Sequence, residues 1–168
     1  MTAFDSLMPA LTFLAALGCG IMAGLFFVFS NTVMRALGGL PPDKGIAAMQ
    51  AINTVILNPL FLTLFMGTGL ICLGAVVYAI LHRGAQGSIF LLAGGLLYLI
   101  GVFLVTAAFN VPRNDALAAL DPAKTESAGV WREYLSVWTA WNHVRTVTSV
   151  AATGSFILAF CQLRKDMG

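Results

Sequence analysis

The sequence predicts an all-α fold, an integral membrane four-helix bundle with short interfacial helices, and two observations carry that prediction. Hydrophobic residues fill 59% of the 168 positions and charged residues 10%, with a mean hydropathy of +0.89. That balance is too apolar for a water-soluble domain. The charges are also spaced, with none between Asp5 and Arg35, Lys44 and Arg83, Arg83 and Arg113, or Arg145 and Arg164. Each of these four windows can hold the roughly 20 residues that cross a bilayer as a helix.

The first span is expected over about residues 9–30. It is too long, too glycine-rich and too poor in early positive charge for a cleaved leader, so it is expected to stay in the mature protein. Gly38, Gly39, Pro41 and Pro42 then break the helix, and Ile46, Met49, Ile52 and Ile56 form an apolar stripe that predicts an interfacial segment over about 43–56. The second span, about 57–81, meets Asn58-Pro59 at its start. Proline lacks a donor and turns its predecessor away from helical angles, which predicts a kink or a fresh start. "HRGAQG" is a tight polar turn before the third span, about 88–109. A longer connection carries the surface loop "DPAKTESAG" and an amphipathic segment over about 130–141, and the fourth span covers about 142–163. With no repeat or low-complexity tract, the chain reads as one transmembrane domain over 1–168.

Composition also narrows the partners. The net charge is only +2 and its basic residues are scattered, so membrane lipids, and not nucleic acid, are the expected surroundings. Cys19, Cys72 and Cys161 lie singly in apolar spans without a Cys-x-x-Cys pair, so no redox dithiol and no metal site is signalled.

Alternation of four spans gathers most polar residues at one end. That end receives Ser30, Asn31 and Arg35, then Gln50, Asn53 and Asn58, then Asn110, Arg113 and Asn114, and finally Trp138, Trp141, Asn142, His143 and Arg145. The other end has little beyond His82, Arg83 and Gln86. Trp138, Trp141, Asn142, Arg145 and Ser149 recur at intervals of three and four, as do Thr106, Asn110 and Arg113, so each set shares a helix face. Polar groups at membrane depth point inward, pair, or line a cavity. Plainer roles compete at each position: an interfacial belt for Trp138 and Trp141, snorkelling for Arg35, Arg113 and Arg145, helix contacts for Gln50 and Asn53, and the Pro59 break for Asn58.

Four stretches, "FSNTVMRAL", "AMQAINTVILNPLF", "FNVPRNDAL" and "WNHVRT", resemble in order and spacing the anthrone-oxygenase-like membrane family, whose bacterial members were catalogued as a domain of unknown function. The resemblance runs from about Phe13 to Phe160, and the third and fourth stretches are the most distinctive. It implies a four-helix membrane fold, expected in a bacterial inner membrane, and oxidation of an anthrone to an anthraquinone by molecular oxygen with no known metal or flavin.

An anthrone has an acidic methylene whose anion reacts directly with oxygen, so a site needs a base, donors for an oxyanion and a flat apolar pocket. His143 is the candidate base, histidine being the side chain that exchanges protons near neutrality. Asn142, Asn110 and Arg145 are candidates to hold a phenolate or oxyanion, and Trp138 and Trp141 to stack on the ring. Gln50, Asn53, Asn58, Arg113 and Asn114 complete the expected substrate-binding set. No cofactor is expected on this reading. The alternative is an accessory membrane protein that binds a quinone, lipid or haem without turnover; His82 and His143 lie near opposite membrane faces and cannot clamp one haem, which leaves a single-histidine haem. Small-residue helix faces allow a homodimer. Arg35, Lys44, Arg113, Lys124, Arg132 and Arg145 outnumber Arg83, Arg164 and Lys165, which by simple counting places the polar end in the cytoplasm.

Overall fold

A computed structural model describes residues 3–165, and within them the chain forms five helices and no strand. Helix α1 covers 3–38, α2 Pro42–Val55, α3 Pro59–Leu81, α4 Ser88–Ala118 and α5 Ser127–Lys165. All but α2 are long and apolar enough to cross a membrane. The protein is an all-α, multi-pass membrane protein in architecture. Around the bundle the order is α1, α3, α4, α5, each packed on the next, with α5 closing back on α1.

Helix lengths set the shape. The 23 residues of α3 rise about 35 Å, close to the ~30 Å hydrocarbon thickness, whereas the 39 residues of α5 rise about 58 Å. Helices α1, α4 and α5 therefore overshoot the span of α3, and their extensions meet α2 to form a cap at one end. Two buried clusters follow from this. Cys19, Met22, Phe26, Cys72, Tyr98 and Phe156 belong to the bundle core, while Met34, Ile46, Met49, Leu117, Trp131 and Trp138 belong to the cap core. Large apolar side chains such as Leu17, Ile21, Leu70, Val77, Val147 and Val150 are exposed on the outside, as lipid-facing residues of a bundle must be.

The breaks have local causes. Asn58 is extended, with φ −80° and ψ 160°, and its Oδ1 accepts the Phe61 amide at 3.0 Å, so α3 makes a fresh start with Asn58 as its cap and Pro59 in the first turn. Gly87 opens α4 at φ +79°, the left-handed conformation that glycine adopts without penalty. At Gly95 α4 packs against the backbone of α3, where an added Cβ would lie 2.8 Å from the Cys72 carbonyl oxygen.

Two expectations about elements are corrected. The separate amphipathic segment over 130–141 and the span over 142–163 are one helix, because residues 127–165 contain no proline and both polar and apolar portions find packing partners. The third span does not end near 109. It continues to Ala118 through Pro112, because the helix widens to π turns over Leu99–Leu104 and Thr106–Asn110, and the Val111 amide bonds the Thr106 carbonyl just before the proline.

Candidate functional site

Two wide turns aim the polar residues inward. Helix α1 has a π turn over Phe29–Val33 and α4 one over Thr106–Asn110, at the level where bundle core gives way to cap. A π turn inserts one residue and rotates those around it. Ser30 and Asn110 are the buried residues of these two turns. From α5, Trp138, Asn142 and Arg145 descend at intervals of four and three on one face and meet them.

Asn142 is fully buried and joins α5 to α1. Its Nδ2 donates to the Phe26 carbonyl at 2.7 Å and to Ser30 Oγ at 2.6 Å, and its Oδ1 accepts from Arg145 Nη2 at 2.6 Å. Arg145 Nη1 donates to Thr106 Oγ1 at 3.2 Å, and the guanidinium lies 4.4 Å from the Phe26 ring centre and 5.1 Å from that of Trp138. Asn110 Nδ2 donates to the Trp138 carbonyl at 3.3 Å. Asn114 Oδ1 accepts from both Trp138 Nε1 and Tyr134 Oη, each at 2.8 Å, which fixes the indole plane.

These groups bound a cavity with about 570 Å³ of empty volume including its mouth, of which about 100 Å³ is open to the centre of a water molecule. Phe26, Phe29, Ile52, Phe61 and Trp138 give it apolar walls, mostly aromatic, while Asn53, Thr106, Asn110, Asn142 and Arg145 supply its polar groups. Ile56 and Leu57 line it where the chain passes between α2 and α3. Three of its buried polar atoms have no protein partner: Asn53 Nδ2, Asn110 Oδ1 and Arg145 Nε.

The residues singled out in the sequence divide clearly. Asn53, Asn110, Asn114, Trp138, Asn142 and Arg145 line this cavity. Gln50 does not; its Nε2 donates to the Leu117 and Leu120 carbonyls at 2.9 and 3.0 Å and ties α2 to the end of α4. Asn58 is exposed and caps α3. Arg113 Nη1 donates to its own helix at the Phe109 carbonyl, 2.7 Å away, and lines a separate groove with Glu133. Trp141 stacks on Phe109 with ring centres 3.7 Å apart, outside the cavity. His143 is exposed and lines no part of it. One helical residue turns about 100°, so His143 points away from the face that carries Asn142 and Arg145, and the position expected for a base is not on the cavity wall.

Phe26, Phe29, Ile52 and Phe61 went unnoticed because apolar residues in apolar spans carry no local signal. The spacing of Phe26, Phe29 and Ser30 at i, i+3 and i+4 is the one clue that they share a face. Among the described residues no group of three or more His, Cys, Asp or Glu is placed to hold a metal ion. His82 lies at the other end of the bundle, stacked on Tyr78 with ring centres 4.2 Å apart.

Residues 61–155 match a family model described as anthrone oxygenase. That stretch contains the Asn110–Asn114 and Trp141–Arg145 motifs, whereas the two earlier motifs lie mostly before it. No curated protein and no solved structure matches the chain.

Proposed function

Since the chain belongs to the anthrone oxygenase family, we propose that it is a membrane-embedded oxygenase that oxidises a hydroxylated, anthrone-like polycyclic aromatic in the cavity between bundle core and cap. The observation that carries this reading is the cavity's combination of aromatic walls with a few polar groups, which suits a planar ring system bearing oxygens. The ring system lies between Phe26, Phe29 and Trp138, its oxygens toward Asn53, Asn110 and Arg145, with its far edge in the mouth beside Leu57 and Phe61. A lipophilic substrate reaches that mouth from the bilayer, past the exposed Val55 and Leu60.

The reaction balances without a further redox partner. The anthrone loses its methylene proton to water, the carbanion gives an electron to oxygen, and the radical pair combines to a ring peroxide anion that takes a proton back from water to become the hydroperoxide. The hydroperoxide loses water to leave the quinone carbonyl, so one oxygen atom ends in product and the other in water. The protein's contribution is to hold the electron-rich anion, orient it and keep competing nucleophiles out.

The test is oxygen consumption by the purified full chain in lipid nanodiscs with 1,8-dihydroxyanthrone, chelator present. Stoichiometric uptake of one oxygen per quinone formed, above the rate with empty nanodiscs, is expected. Tight binding of the aromatic without oxygen uptake would instead favour an accessory protein that binds such compounds.

A further inference from the structure

Arg145 is 6% exposed, yet none of its partners carries negative charge. Its guanidinium meets the Asn142 amide oxygen, the Thr106 hydroxyl and the faces of Phe26 and Trp138, and the only ion pair among the described residues is Lys44 with Asp43, elsewhere on the surface. A buried cation without a counter-charge is strongly unfavourable, and ring faces offset only part of that. Its Nε is also without a partner, whereas Nη1 and Nη2 each donate one hydrogen bond.

Two of the four other orphaned atoms lie in the same cavity; Thr139 Oγ1 and Ser149 Oγ do not line it. Asn53 Nδ2 is an unused donor, and Asn110 Oδ1, on a side chain 1% exposed, is an unused acceptor. An oxyanion satisfies Arg145 Nε and Asn53 Nδ2, and a neighbouring hydroxyl satisfies Asn110 Oδ1. A planar aromatic bearing two adjacent oxygens, one ionised, presents that pattern.

The cavity wall offers no proton acceptor of its own. Facing Arg145 are Phe26 and Phe29 from α1, Met49 and Asn53 from α2, Phe61 from α3, and Thr106 and Asn110 from α4, all uncharged. On its own helix the Tyr134 hydroxyl already donates to Asn114. His143 is on the outer face.

We propose that the cavity binds a hydroxylated polycyclic aromatic as its oxyanion, with Arg145 as the missing counter-charge, so that the ligand ionises on entry and its proton leaves to water and not to a side chain. What the anion then does rests on the oxygenase reading; the anion site itself does not. The step is an ionisation of one O–H bond with no change of oxidation state. It makes the ligand more electron-rich and leaves the protein to discriminate by acidity as well as shape.

The probe is 1,8-dihydroxyanthraquinone, which cannot be oxidised further in this way and whose phenolate absorbs at longer wavelength than its neutral form. It is titrated from pH 5 to 10 with the full chain in nanodiscs, against empty nanodiscs. Bound dye is expected to favour the phenolate at least about tenfold over dye in empty nanodiscs. In Arg145→Gln that preference disappears while neutral dye still binds, and Arg145→Lys restores part of it. Should Arg145→Gln not fold, wild-type protein alone decides: 1,8-dimethoxyanthraquinone, which cannot ionise, is expected to bind at least about tenfold more weakly at pH 8. Bound dye that titrates as in empty nanodiscs, a preference that survives Arg145→Gln, equal binding of the dimethoxy compound, or no dye binding would each overturn the proposal. A dye shift without oxygen uptake from the anthrone leaves the anion site standing and removes the oxygenase; uptake without a dye shift does the reverse.

Discussion

Replacing Asn142 by leucine removes the one side chain that links α1, α5 and the Arg145 guanidinium while keeping the same branched shape. Three hydrogen bonds are lost, to the Phe26 carbonyl, Ser30 Oγ and Arg145 Nη2, all between 2.6 and 2.7 Å and all shielded from water. Hydrogen bonds between membrane helices average about 0.6 kcal/mol each, which sets a floor of roughly 2 kcal/mol for the three. The Arg145 bond is charge-assisted, and stranding a buried charged donor costs about 1.5–3 kcal/mol by itself, so the loss approaches ~5 kcal/mol at the upper end. Leucine's better helix propensity returns only a few tenths of a kcal/mol. At roughly 2–4 °C per kcal/mol for a chain of this size, the floor alone corresponds to a fall in Tm of about 4–8 °C. Thermal unfolding of wild type and Asn142→Leu, followed by circular dichroism in the same nanodiscs, measures it. A fall of less than about 2 °C would refute the idea that this network locks the cap end of α1 to α5.

Two further outcomes follow from the same geometry. His143→Ala is expected to keep anthrone turnover within about twofold of wild type, because the imidazole is exposed outside the cavity; a loss of the 10²- to 10⁴-fold typical of a missing general base, read from initial rates across pH 6 to 9, would return it to the chemistry. Gly95→Ala places a methyl against the Cys72 carbonyl and Val76 and is expected to cost about 1–3 kcal/mol, whereas Gly24→Ala, with open space around its Cβ, serves as a neutral or slightly stabilising control in the same thermal assay.

The number of spans and the gathering of polar residues at one end follow from the sequence by itself. Lipid excludes charge from about 20 consecutive residues whatever the packing, and alternation of spans then dictates which ends meet. The fresh start at Pro59 is local for the same reason, since Asn58 and Pro59 carry their cap geometry in their own side chains. Helix continuity was less legible. A rise in polarity near residue 141 looks like a boundary, but α5 runs through it because the cap supplies a second apolar core for Trp131, Tyr134 and Trp138 to enter.

Only the tertiary structure decided which polar residues share a cavity. In the sequence, Trp141 and His143 are as close to Asn142 and Arg145 as any residues are, but about 100° of rotation per residue sends Trp141 onto Phe109 and His143 to the exterior. Gln50 and Arg113 found backbone carbonyls at 2.9 Å and 2.7 Å, partners that no spacing rule announces. The apolar walls were silent for the opposite reason: Phe26, Ile52 and Phe61 look like any lipid-facing residue until α1, α2 and α3 bring them around the same cavity. Propensity and hydropathy act along one chain segment at a time, whereas a cavity is a relation among segments. Two π turns, neither marked by a distinctive residue, turn Asn110 into it and Ser30 toward Asn142.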